Sequence, residues 1–389
     1  MENPTIRQYY LALTLFIIGL QAVFADELPD MGIESDRYLS PAQEYELGEA
    51  MMREIRRRIP LVSDPIVSQY IESLGNRLSN TLENPIFHPQ LFVINDKSIN
   101  AFATPGGFIG VNSGLILATE TESELAGVIA HEIGHVVQRH ISRRYAKMER
   151  MSIPTTAAML AGILLSTIDP ELGIATMAAS DAASIQNFIS YTRINEKEAD
   201  RVGFQILDNA GFDPRGMVSF FKTMADLRQS TREPIEFLST HPLTTNRIAD
   251  MENRARLYHD RGLPPAIGYR LVRERINALL TRDPSQAVKY YQNKINQNPV
   301  PEYRYALALA LLRDQQCPQS KHLFEKLLSN EDRIPYHVGM AKAEARCGSH
   351  KKAISIINNA FELYPDDYSL LFTWAEIMLT GNRFEQVYQ

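Results

Sequence analysis

The chain has 389 residues, more than one domain usually needs and suited to two. With 44% hydrophobic and 22% charged residues it is globular material, and a net charge of −6 argues against nucleic acid as a partner. Two cysteines exclude a disulfide framework and a four-cysteine zinc site, and no apolar run reaches the ~18–20 residues of a membrane-spanning helix.

The amino terminus reads as an address. Arg7 supplies the positive end, Leu11 to Leu20 an unbroken apolar core, and Val23 and Ala25 the small residues of a cleavage site. Residues 1–25 therefore predict a secretory signal peptide and an oxidising destination, and no Cys follows the site to mark a lipoprotein. Arg53, Arg56, Arg57 and Arg58 read as a solvated helix face. Asp64-Pro65 opens a helix that runs past Ile71 and Leu74, with Asp as N-cap and Pro at the first position. Leu91–Ile94 is a short strand, Thr104–Gly107 a turn, and Phe108–Val111 a second strand. Leu125, Ile129, Ile133 and Val136 lie on one face of a long helix from Thr121 to about Lys147. Residues 154–180 are apolar and small, too short and interrupted to span a membrane. They serve as a plug over a cleft, as a contact with the membrane surface, or as plain core helices. A helix over about 182–209 closes at Gly211, with Pro214 beyond. The class is α+β with helices dominating.

The last third repeats. Ala287, Ser320, Ala353 and Gln386 stand 33 residues apart, with Ala308 and Ala341 at the same period and Gly348 and Gly381 at the turns. Paired helices at this period resemble tetratricopeptide repeats, which stack into an α-solenoid that binds protein. Residues 267–389 would hold about three and a half of them, the last incomplete. Cys317 and Cys347, 30 apart, are either bridged or free, since sequence supplies no Cα separation.

The chemistry is concentrated in His131-Glu132-Ile133-Gly134-His135. On a helix, positions i and i+4 lie about 40° apart, so His131 and His135 can hold one ion while Glu132 stands beside it as a general base. A third His six residues after the second would mark a metzincin, but Ile141 occupies that place. His140, one residue off, reads as a packed core or cap histidine. Asn195-Glu196-Lys197-Glu198-Ala199-Asp200 offers a carboxylate instead. Alone, such a cluster reads as a solvated helix face. Beside H-E-x-x-H, Glu196 becomes the third zinc ligand, and Asp200, four residues on, the acceptor that fixes a ligand imidazole's tautomer.

The set His-Glu-Ile-Gly-His, Glu196 to Asp200 and Ser239-Thr240-His241-Pro242, with Asn100-Ala101-Phe102-Ala103 and Pro105-Gly106-Gly107 upstream, resembles the M48 zinc metallopeptidases over roughly residues 40–262. The resemblance implies a gluzincin-type fold, one Zn²⁺ per chain and endopeptidase activity. With the signal peptide and the repeats, it also implies a periplasmic enzyme that degrades stalled or misfolded outer-membrane proteins. The repeats would be its contact with the outer-membrane β-barrel assembly machinery. It places His241 near the metal, either as an oxyanion donor or as a resting-state ligand, with Arg247 a weaker donor candidate. Substrate is expected to add as a strand along Phe108–Val111. The competing reading is a repeat-based chaperone or adaptor with a latent zinc site.

Overall fold

The computed structural model describes residues 39–150, 182–231, 234–259, 261–264 and 266–381. The signal-peptide reading and the 154–180 segment lie outside these residues. Among the described residues no helix is long and apolar enough to cross a membrane.

Helix α1 (Pro41–Arg58) starts at a reciprocal cap between Ser40 and Gln43, and its arginines are exposed as expected. Helix α2 (Pro65–Ser79) is capped by Asp64, whose side chain accepts from the Val67 amide. A small sheet follows: β1 (Gln90–Ile94), β2 (Ala101–Ala103) and β3 (Phe108–Asn112), in the order β1-β3-β2. β1 runs parallel to β3, and β2 antiparallel. This corrects the expected substrate edge. Phe108–Val111 lies in the central strand, paired on both sides and fully buried, whereas the edge nearest in sequence is β2.

After the short α3 (Ser113–Ala118) comes α4 (Glu122–Val137), which is almost entirely buried. The long helix expected to reach about Lys147 is broken here. Arg139 adopts a positive φ of 48°, and α5 (His140–Arg150) sets off anew. A left-handed non-glycine residue needs support. The buried Arg139 guanidinium donates to Glu44 Oε2 (3.0 Å) and to the Leu39 carbonyl (2.8 Å). Helix α6 (Ala182–Asn209) packs along α4, and Gly211 beyond it has φ 78° as its stop signal requires. Gly134 sets the closeness of that packing: a Cβ there would meet the Ala199 carbonyl oxygen at 2.8 Å. Helices α7 (Arg215–Ser230), α8 (Glu236–Thr240) and α9 (Thr245–Ala255) complete this half.

The second half is helical throughout: α10 (Ile267–Leu280), α11 (Pro284–Gln297), α12 (Pro301–Arg313), α13 (Cys317–Asn330), α14 (Ile334–Arg346), α15 (His350–Leu363) and α16 (Tyr368–Thr380). Ala287, Ser320 and Ala353 are each the fourth residue of α11, α13 and α15, and each is buried. The turn before α15 places Gly348 at φ 102°, and 33 residues earlier Gln315 takes the same left-handed role at φ 62°. Gly381, at φ −84°, does not. Cys317 and Cys347 are disulfide-bonded, with Cα atoms 6.1 Å apart.

One buried cluster crosses between the two halves, while α10 to α14 also pack a second cluster of their own. Ile66, Ile71 and Leu74 of α2 belong to the same buried cluster as Val272 and Ile276 of α10 and Leu370 and Ile377 of α16. Polar contacts close the joint. Arg275 grips Asp64 through two bonds of 2.7 and 2.6 Å, and Gln69 bonds both Asp367 (2.7 Å) and the Ser369 amide (3.1 Å).

Candidate active site

Four side chains converge where α4, α6 and the end of α8 meet: His131, His135, Glu196 and His241. His131 Nε2 lies 3.1 Å from His135 Nε2, 3.2 Å from His241 Nδ1 and 3.3 Å from Glu196 Oε2. His135 Nε2 is 3.4 Å from Glu196 Oε1, and His241 Nδ1 is 3.2 Å from Glu196 Oε2. Donors around a tetrahedral zinc, bound at about 2.0–2.1 Å, stand about 3.3–3.4 Å apart. The spacing and the mixture of imidazoles with one carboxylate both fit that metal.

The sequence builds this geometry locally. The i, i+4 spacing brings the two histidines of α4 together, and the close approach permitted at Gly134 brings Glu196 against them. His241 is delivered from the end of α8, where its ring stacks on Phe237 at 4.8 Å. Asn100 fixes that element to the start of β2 by donating to Glu236 Oε1 at 2.8 Å. Glu132 is buried beside the cluster, with Oε1 3.3 Å from His241 Nε2.

Each ligand-type histidine of α4 has its other nitrogen occupied. His131 Nδ1 faces Asp200 Oδ1 at 3.0 Å. Asp200 in turn takes two bonds from Arg247, of 2.6 and 2.7 Å, and Arg247 Nη1 reaches Glu196 Oε2 at 2.8 Å. This corrects the reading of Arg247 as an oxyanion donor: its guanidinium is engaged with Asp200, Glu196 and the Pro242 carbonyl. On the other side, His135 Nδ1 meets His140 Nδ1 at 2.9 Å, and His140 Nε2 meets Glu198 Oε2 at 3.0 Å. Arg143 holds Glu198 at 2.6 Å. His140 is buried, as expected, but it is a link in this chain rather than inert packing. On an unbroken helix His140 would point about 140° away from His135. The break at Arg139 brings it back, and no residue pattern announced that break.

The charges follow from these contacts. Burial disfavours ionised Glu196 and Asp200, but His241 and Arg247 outweigh it for Glu196, and Arg247 and His131 for Asp200, so both pKa values fall. Burial also opposes a charge on His131, yet hydrogen bonds to Asp200 and Glu196 raise its pKa to about 9. The site thus favours a cation, proton or metal. Burial lowers His135 well below its usual value and His140 to about 4, which keeps both imidazoles neutral. Burial raises Glu132, making it a stronger base than an exposed carboxylate.

Residues 65–255 match Peptidase family M48. A Yersinia pestis protein named beta-barrel assembly-enhancing protease is 33% identical over 366 residues, 92% of this chain and 74% of its own length. The Escherichia coli K12 protein of that name is 34% identical over 347 residues, 87% and 70% of the two chains. A Vibrio cholerae relative is 40% identical over 312 residues, 78% of this chain and 64% of its own length, so this chain spans under two thirds of it. With the donor set found here and relatives aligned over most of its length, this chain belongs to peptidase family M48, a family of zinc metallopeptidases.

Proposed function

We propose that the chain is a periplasmic zinc metalloendopeptidase that degrades misfolded or stalled outer-membrane β-barrel proteins and assists their assembly. The observation that carries the catalytic part is the convergence of His131, His135, Glu196 and His241 beside a buried Glu132. The barrel-assembly part rests on the names of the Yersinia and Escherichia relatives. The periplasm rests on the signal-peptide reading of residues 1–25. The helix hairpins at a 33-residue period support a tetratricopeptide solenoid over 267–389, a surface suited to protein partners such as the barrel assembly machinery.

His131, His135 and Glu196 would hold one zinc. Bound there, it supplies Lewis acidity toward the scissile carbonyl and the attacking water. Glu132 takes the water's proton on its carboxylate and returns it to the leaving nitrogen. Asp200 and His140 keep Nδ1 of His131 and His135 protonated, so that each Nε2 presents its lone pair. The substrate strand adds to β2, whose Ala101 and Ala103 amides face away from β3. His241 has two uses. Its Nδ1 lies among the donors, so at rest it can close a fourth position, while its Nε2 faces Glu132. That closure is the observation favouring the second reading, a chaperone or adaptor with a latent site.

The test is metal content and casein cleavage by the purified mature protein beside Glu132→Gln. One zinc per chain in both proteins, with cleavage lost in the variant, is expected. Equal cleavage by the variant would remove Glu132 from water activation. Zinc without cleavage by either protein favours the latent reading, and absence of metal sinks both.

A further inference from the structure

A pocket of about 490 Å³ opens beside the segment that carries His241. Its walls include Arg193 and Arg228, over an apolar floor of Ile235, Leu238, Pro242 and Leu243. Among the described residues, none of those lining it is acidic. Among the described residues neither guanidinium has a hydrogen-bond or ion-pair partner. Both side chains are solvent-exposed, so their charges are open to a ligand, whereas the buried arginines of the fold are paired. Arg139, Arg247 and Arg275 each lie against a carboxylate, of Glu44, Asp200 and Asp64. In a chain of net charge −6, the described lining of this pocket is locally basic.

The pocket is lined by residues from both segments that carry Glu196 and His241. Arg193 lies three residues before Glu196 on α6, about 5 Å along the axis. Pro242 directly follows His241. A peptide running past Glu132 would present a neighbouring residue here. Guanidinium groups bind carboxylates by paired charge-assisted hydrogen bonds, and the floor accepts an apolar group.

We propose that this pocket is a substrate subsite for a carboxylate, from an Asp or Glu side chain or a C-terminus, borne next to an apolar residue. The assignment rests on the peptidase reading for its meaning, but not for its test. Three fluorogenic peptides alike but for Glu, Gln or Lys at one position, and a pair alike but for a free or amidated C-terminus, are compared on the zinc-loaded full chain. Arg193→Gln/Arg228→Gln is expected to lower the Glu-to-Gln ratio of kcat/KM about tenfold. Arg193→Glu/Arg228→Glu is expected to shift preference toward Lys. Misfolding lowers all peptides together, the Gln and amide peptides included; variants that keep those two rates yet leave both the Glu-to-Gln and the acid-to-amide ratios unchanged overturn the proposal. Loss of the free-acid preference over the amide, with Glu and Gln equal, assigns the pocket to C-termini, and the reverse assigns it to side chains. Binding of the same peptides to Glu132→Gln, measured by anisotropy, needs no turnover. A charge preference there that the arginine variants abolish supports the pocket even if nothing is cleaved, a result that would instead count against the peptidase reading. Equal binding of all peptides overturns the pocket.

Discussion

The two histidines of α4 look equivalent in sequence and are supported very differently. His131 is backed directly by a carboxylate, and the whole arm of His131, Asp200 and Arg247 is buried. His135 is backed through a second imidazole, and its arm runs outward to Glu198 and Arg143, whose side chains are 31% and 32% exposed. One arm is a dry charge network, in which a lost partner leaves an unpaired buried ion. The other ends in water, where solvent and salt share the load. The support for a metal site need not be symmetric for its donors to be.

That contrast can be broken in order of expected effect. Arg247→Met leaves Glu196 and Asp200 buried with their main counter-charge gone, and should destabilise the metal-free fold by about 3–5 kcal/mol in denaturant titrations. A loss below about 1 kcal/mol would show that the dry arm is not under such strain. Asp200→Asn keeps the shape and removes the acceptor charge. Zinc affinity, measured by chelator competition, should fall about 100-fold. His140→Phe removes the relay on the other side and should cost about tenfold in the same assay, because water can replace the lost acceptor at His135. Equal losses from these two changes would erase the asymmetry. Glu198→Gln is the mildest, a few-fold loss at low salt that fades at high salt, since exposed pairs are worth ~0–1 kcal/mol. A salt-independent loss would mean that Glu198 behaves as a buried charge.

Much of the site was legible because it is written at helical spacing. His131 with His135, and Glu196 with Asp200, are i, i+4 pairs whose partnership needs only the helix. The cap at Asp64 and the stop at Gly211 are likewise local. What could not be read depends on tertiary contacts. Arg139 breaks α4 from α5 because Glu44 and Leu39, about 95 residues earlier, hold its guanidinium. The sheet order that buries β3 is a matter of pairing, not pattern, so the strand taken for the edge proved central. Arg247 carried no mark distinguishing a charge clamp from a surface residue. The Cys317–Cys347 bond turned on a distance of 6.1 Å that spacing does not give.

The core that runs from α2 into α10 and α16 bears on how the molecule comes apart. Asp64 both starts α2 and neutralises Arg275, and α2 lies under the sheet and beside α4. The elements joined through this cluster are expected to melt together. Occupation of the metal site therefore raises the melting temperature of helices whose sequence says nothing about metal, and a protease nick at the far end of the helical array loosens the grip on zinc. Cofactor loading becomes a readout of whether the whole chain is intact.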